Sequence, residues 1–435
     1  MKALILDGSS KADPTAESVY LALEAESLER GWEVEHVLLR EQKIGSCAGD
    51  YVCWIRTPGV CNIDDDNRRI ARAAANSDLL VFLTPVTFGG YSSTLKRAVD
   101  HLMQNSLPFF KLVEGEIHHP QRYEQPPNLL VIGWMDAPQP ELEDIFHCLV
   151  RRNAIAKQVK VSVSGVVYLN QAADSLARAV KGWVSAVAGG VSSPIRELPA
   201  LPPAPFANSP IHSGLLLSGS PRGRKSSSQA LGGYLLEQLN AGGIQVETVQ
   251  LYQALGSPER IQALLDQIDS HDLTVLAFPL YIDSLPGPVT RALELIAAHR
   301  TANPVRWASF AAVVNSGFPE ASQSKVALAI CAAFARQAGF NWAGGLALGA
   351  GEAIIHGKPL NEMGRGANSI RAALELAAES LAKGEVIPAE AVTLMAKPRI
   401  PKPFFILAGG ISWKLRARKF GAANSLLAQP YQGKG

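Results

Sequence analysis

At 435 residues the chain is too long for one ordinary core and long enough for two domains of about 200 residues each. A composition that is 47% hydrophobic and 18% charged excludes an extended disordered chain, and a formal net charge of +2 provides no broad field to recruit nucleic acid. No stretch approaches the roughly 20 apolar residues of a membrane-spanning helix, and Met1 to Asp7 run straight into a strand pattern instead of an export signal, so a cytoplasmic protein is expected.

In chain order, Leu4-Ile5-Leu6-Asp7-Gly8-Ser9-Ser10 is an apolar run followed by a turn, and a helical stretch leads to Gly31 and the alternating strand Glu33 to Leu39. An insertion at residues 41–66 carries Cys47, Cys53 and Cys61. Asp64-Asp65-Asp66 follow as solvated acids opening a helix over Asn67 to Ala75, in preference to a metal site. Asp78 to Pro85 is a buried strand. His118-His119, among prolines and without helical spacing, is expected in a loop.

The second half repeats this order. Leu215-Leu216-Leu217-Ser218-Gly219-Ser220 answers the first strand and turn, Gly243 to Leu251 the second strand, and Asp272 to Pro279 the third, with Arg291-Ala292 placed like Arg97-Ala98. Strands alternating with amphipathic segments such as Ser322 to Gly339 are the pattern of parallel sheets covered on both faces. The expected fold class is therefore α/β, with two doubly wound domains. The boundaries are residues 1–190 and 212–397, a proline-rich linker at 191–211 with Pro194, Pro199, Pro202, Pro203, Pro205 and Pro210, and a basic amphipathic tail at 398–435. In such sheets ligands bind beyond the carboxyl ends of the strands.

The loop that opens the second copy is the strongest candidate site. Ser218, Ser220, Arg222, Lys225 and Ser226-Ser227-Ser228 lie between a strand and a helix, where hydroxyls, cations and unpaired helix N–H groups suit a phosphate. Helix capping by the serines is the plainer alternative. The segment lacks both the Walker and the dinucleotide glycine patterns, which leaves a flavin mononucleotide.

Gly219-Ser220-Pro221-Arg222-Gly223 with its downstream serines, followed by Phe278-Pro279-Leu280-Tyr281-Ile282-Asp283-Ser284-Leu285-Pro286, resembles the NAD(P)H-dependent FMN reductase and iron-sulfur flavoprotein branch of the flavodoxin-like superfamily. Asn315-Ser316-Gly317-Phe318 and the tail residues Trp413, Lys419-Phe420-Gly421 and Pro430-Tyr431 extend the likeness over most of residues 212–431. The resemblance implies two flavodoxin-like domains in tandem, each with a five-stranded parallel sheet of order 2-1-3-4-5. It implies that Pro279, Leu280, Tyr281, Asp283, Ser284 and Leu285 lie along the ribityl chain and isoalloxazine, and that Asn315, Ser316, Gly317 and Phe318 border the ring. Tyr281 and Phe318 are alternatively loop anchors.

The first copy resembles the same superfamily through Thr84, Pro85, Val86, Thr87, Phe88, Gly89, Tyr91 and the following Leu95-Lys96-Arg97. With Ser9, Ser10 and Thr15 these residues form a candidate second flavin site, but Asp13 and Glu17 would repel a phosphate, so a degenerate scaffold copy is an equal alternative. In iron-sulfur flavoproteins four cysteines at the insertion ligate a cluster. Here Asp50 stands where a cysteine is expected and Cys61 is remote, so a structural loop is favoured over a cluster or a redox-sensitive thiol pair.

The resemblance implies an FMN-dependent enzyme passing hydride from NAD(P)H to a flavin, quinone or other small acceptor, with the flavin N5 carrying the chemistry and no catalytic side chain. An FMN electron carrier reduced by a protein partner, or a scaffold with lost sites, are the alternatives. A homo-oligomer or an intramolecular pseudo-dimer is expected. The basic tail is expected to pack across the flavin domain or a subunit interface, with membrane contact disfavoured.

Overall fold

The computed structural model describes residues 1–202, 211–303 and 306–432. The chain divides into two compact units, residues 1–199 with 403–435, and residues 200–402. Of the linker prolines, Pro203, Pro205 and Pro210 lie outside the described residues.

The first unit contains strands β1 (Lys2–Asp7), β2 (Glu33–Leu38), β3 (Leu79–Pro85), a small antiparallel pair β4 (Lys111–Val113) and β5 (Glu116–His118), then β6 (Asn128–Met135) and β7 (Ser162–Tyr168). The five main strands run parallel in the order β2-β1-β3-β6-β7. Ala3 to Leu6 and Leu79 to Leu83 are continuously buried because helices cover both faces. On one face the helix Pro14–Glu29 turns Ala16, Val19 and Leu23 inward beside Leu176, Val180, Val184 and Val187 of the helix Ala173–Ala188, the 3–4 spacing of an apolar helix stripe. β7 is an edge strand and alternates in burial, and Ser193 N–H donates to the Ser162 carbonyl at 2.9 Å, so the start of the linker partly covers that edge.

The second unit repeats the design with β8 (Ser213–Ser218), β9 (Gln245–Gln250), β10 (Leu273–Pro279), β11 (Ser309–Asn315) and β12 (Asn341–Leu348), all parallel in the order β12-β11-β10-β8-β9. Counted along each unit, both sheets have the flavodoxin-like order 2-1-3-4-5. The helices Ser227–Ala241, Asn368–Ala382 and Ala389–Ala396 share one core cluster with this sheet.

The C-terminal segment departs from its expected place across the flavin domain. The helix Lys402–Arg418 buries Phe405, Trp413 and Ala417, and Trp413 meets Trp54 edge-on at 5.3 Å between ring centroids while Phe405 meets Phe110 at 4.9 Å. Arg122, fully buried, then fastens the end of the chain: its guanidinium donates to the carbonyls of Leu426 at 3.0 Å and Ala428 at 2.7 Å, as well as to Gln104 and Ser106. The tail thus completes the first unit's core. A match of aromatic residues to family tails does not specify which of two similar units receives them.

His118 also departs from expectation, since it lies buried in β5 and not in a loop, and His119 just after it is half-buried. Burial pushes the His119 imidazole down to about 4, against the Trp54 ring at 4.5 Å. Among the described residues no helix is long and apolar enough to cross a membrane.

Candidate functional site

In the second unit β8 delivers Ser218 to the carboxyl edge of the sheet. The loop turns through Ser220, Pro221 and Arg222, and Ser226 caps the helix Ser227–Ala241 by accepting from Gln229 N–H at 3.1 Å. Ser218, Ser220, Ser226, Ser227 and Ser228 are all buried, and the Ser218 hydroxyl has no hydrogen-bond partner among the described residues. Lys225 is exposed.

The anion-binding groups of this loop are engaged by the chain itself. Ser228 Oγ donates to Asn315 Oδ1 at 2.7 Å and Ser227 Oγ to the Gly351 carbonyl at 3.4 Å. Arg222 holds the Glu352 carboxylate with both terminal nitrogens, one of them at 2.9 Å. The short helix Gly351–Ile355 that carries Glu352 is bracketed by Ala350 (φ +57°) and His356 (φ +50°), both in the left-handed region that costs L-residues energy. Gly357 lies so close to the loop that a Cβ there would sit 2.2 Å from the Lys225 carbonyl oxygen. The donor set fits a phosphate monoester in kind, with hydroxyls, a guanidinium and a helix N-terminus, and the guanidinium is paired with a carboxylate of the same chain.

The edge loops are matched between the units. Leu280 N–H donates to the Asn315 carbonyl at 2.9 Å, and Val86 N–H donates to the Trp134 carbonyl at the same distance. Tyr281 and Ser284 close a two-residue turn through Ile282 (φ +45°) and Asp283 (φ +60°), as Thr87 and Gly90 do through Phe88 (φ +54°) and Gly89 (φ +81°). A β-branched residue at positive φ is strained, and such strain concentrates where a loop is held in one shape for a ligand. Pro279, Leu280 and Tyr281 are half-buried at the rim, whereas Asp283, Ser284 and Leu285 point into the protein. Across from them Ser316 Oγ donates to the Phe318 carbonyl at 2.9 Å, and Gly317 and the half-buried Phe318 complete the rim.

The first unit's loop is closed differently. Asp13 caps the helix Pro14–Glu29, its Oδ1 accepting from Thr15 N–H at 2.8 Å and Ala16 N–H at 3.3 Å, while Trp134 Nε1 donates to its Oδ2 at 3.1 Å. That carboxylate satisfies two N–H groups at the start of the helix. Beneath it Asp7, buried where the second copy has Ser218, accepts from Ser9 N–H at 2.8 Å and from Ser9 Oγ. Burial alone would raise the Asp7 carboxyl, but the His36 imidazole 3.8 Å away and the hydrogen bonds from Ser9 hold it below its ordinary value. Ser10 is exposed, Pro85, Val86 and Thr87 are half-buried, and Tyr91 is anchored in the core by its hydroxyl to Asn153 Oδ1 at 3.1 Å. Sequence reasoning flagged Asp13 but not Asp7, although Asp7 faces Ser218 in the repeat. It also missed Glu352, whose only signal is the glycine-rich Gly349-Ala350-Gly351 after β12.

The three insertion cysteines line one cavity with Asp50, Asp100 and His101. His101 Nε2 donates to the Gly45 carbonyl at 2.9 Å, leaving Nδ1 to accept from Cys61 Sγ at 3.5 Å. Burial pushes the Cys47 thiol up to about 12 and raises Cys53 and Cys61 as well. Among the described residues no group of three or more His, Cys, Asp and Glu is placed to hold a metal. Asp65 and Asp66 accept from the backbone N–H groups of Gly45 and Lys43, each at 2.7 Å, and so staple the insertion to the start of the helix Asn67–Ala75.

In comparison with known proteins, residues 1–114 and 214–347 both match the NADPH-dependent FMN reductase family, together more than half the chain. The chain belongs to that family. An iron-sulfur flavoprotein of Methanocaldococcus jannaschii is 31% identical over 102 residues, a match covering 23% of this chain and 51% of the relative, so the chain spans about half that relative's length. Similar solved structures include an FMN-dependent NADH-azoreductase from Bacillus anthracis strain Ames Ancestor, with 14% identity, a TM-score of 0.30, and coverage of 39% of this chain and 99% of that one. An NAD(P)H:quinone oxidoreductase from Methanothermobacter marburgensis has 16% identity, a TM-score of 0.30, and coverage of 40% and 96%.

Proposed function

We propose that this protein is an FMN-dependent NAD(P)H oxidoreductase of the cytoplasm whose second unit holds the flavin and whose acceptor is a small molecule such as a flavin or quinone. The observation that carries the reading is the Ser218 to Ser228 loop, with its buried hydroxyls and guanidinium at a helix N-terminus within a family defined by FMN reduction. Ser220, Ser226, Ser227 and Arg222 would hold the phosphate, and Tyr281 and Phe318 would flank the ring. Bound FMN would supply the two-electron chemistry between nicotinamide and acceptor.

The protein's own part is to bind, orient and exclude water. Arg222 must exchange Glu352 for the phosphate, and Ser227 must exchange the Gly351 carbonyl, so flavin binding is coupled to movement of residues 350–357. The turn through Ile282 and Asp283, held at positive φ, would fix the shape of the loop that flanks the flavin ring. Anaerobic mixing of the FMN-loaded protein with NADPH or NADH tests the reading. Bleaching of the flavin absorbance is expected, and a protein that binds no FMN, or whose flavin neither nicotinamide reduces, overturns it.

A further inference from the structure

The helix Lys402–Arg418 is apolar on two opposite sides. One side, with Phe405, Trp413 and Ala417, is buried in the first unit. On the other side Phe404, Leu407, Ile411 and Leu415 recur at spacings of three and four, and are 63%, 65%, 53% and 51% exposed. Packing against the first unit therefore leaves the stripe Phe404, Leu407, Ile411 and Leu415 unexplained. Four large apolar side chains aligned on one exposed face form a contiguous patch, which in a folded protein marks a docking surface.

Charge says what docks there. Residues 398–435 contain seven of the chain's 41 basic residues and none of its 39 acidic ones, leaving the preceding 397 residues at a net −5 in a chain of +2 overall. Lys414 and Arg418 lie on the same side of the helix as the apolar stripe, and both are exposed. A partner that buries Phe, Leu and Ile while attracting an acid-free basic segment has a negatively charged rim over a hydrocarbon interior. We propose that this face binds the surface of an anionic phospholipid bilayer, the helix lying in the interface plane with Phe404, Leu407, Ile411 and Leu415 among the acyl chains and Lys414 and Arg418 on the headgroups. A second copy of the chain fits less well, because it would bring one acid-free basic segment against another.

The inference does not depend on the flavin reading, and its test uses no flavin. The full chain is sedimented with vesicles of phosphatidylcholine, with and without phosphatidylglycerol. Binding to the phosphatidylglycerol vesicles, weakened by salt, is expected, with little binding to phosphatidylcholine alone. Ile411→Asp should lower the partition coefficient by at least about tenfold, and neutralising Lys414 or Arg418 as glutamine by about fivefold each. These side chains are exposed, so an unchanged melting curve shows that each variant still folds. No binding to anionic vesicles, equal binding to both kinds, or binding unaffected by Ile411→Asp overturns the proposal. So does a solution dimer that Ile411→Asp dissolves without any vesicle binding, which would assign the face to a second copy.

Discussion

The two strand-to-helix loops share one repeated pattern and each is tied by a carboxylate, yet the acids come from different places. In the first unit the acid is built into the loop: Asp13 is the residue before the helix, and Asp7 ends the strand beneath it. Both are held by residues within three positions of them in the chain. In the second unit the acid is Glu352, which is 130 residues from Arg222 along the chain and rides on a short helix between two strained residues. Under the proposed function it is the group that a ligand phosphate would displace. The same type of group is thus local to the loop in one unit and brought from far along the chain in the other. The units also differ in what completes them, since the second builds its core from its own helices whereas the first borrows Phe405 and Trp413 from the far end of the chain.

The largest effect is expected where the first unit depends on that tail. Trp413→Ala removes a buried indole packed against Trp54 and should cost about 3–5 kcal/mol, lowering the calorimetric transition of the first unit and leaving that of the second in place. A single transition shifted as a whole would show that the units do not unfold separately.

Next in size are the opposed effects at the second loop. Arg222→Ala should weaken FMN binding by about 10- to 100-fold, the loss of a charge-assisted hydrogen bond. Glu352→Gln should strengthen it, by only about fivefold because the ion pair is partly solvated, and fluorescence titration of FMN reads both. If Glu352→Gln weakens binding, the carboxylate supports the site instead of occupying it. The smallest effect is expected from Asp13→Ala, which should cost the first unit about 1 kcal/mol through the lost helix cap and add no second flavin, because Asp7 still places a charge beneath the loop.

Much of this was legible in the sequence because a repeat constrains architecture twice. Leu4 to Ser9 and Leu215 to Ser220 fix equivalent strands and turns, and the parallel order followed from the flavodoxin-like resemblance. The helix start at Asn67 and the departure of the first phosphate loop at Asp13 were also readable, since both rest on residues adjacent in the chain. What could not be read is contact over long separations. Nothing near Arg222 announces Glu352, and nothing in Phe405 or Trp413 says which of two similar cores will take them. Trp134 looks like an ordinary strand residue until β6 brings its indole to Asp13.

The most direct test of the account is the FMN-to-chain ratio of the purified protein after saturation with FMN and removal of the excess. One flavin per chain, lost in Arg222→Ala and retained in Asp13→Ala, is the predicted result. Two flavins per chain, none, or one that Arg222→Ala leaves in place would contradict it.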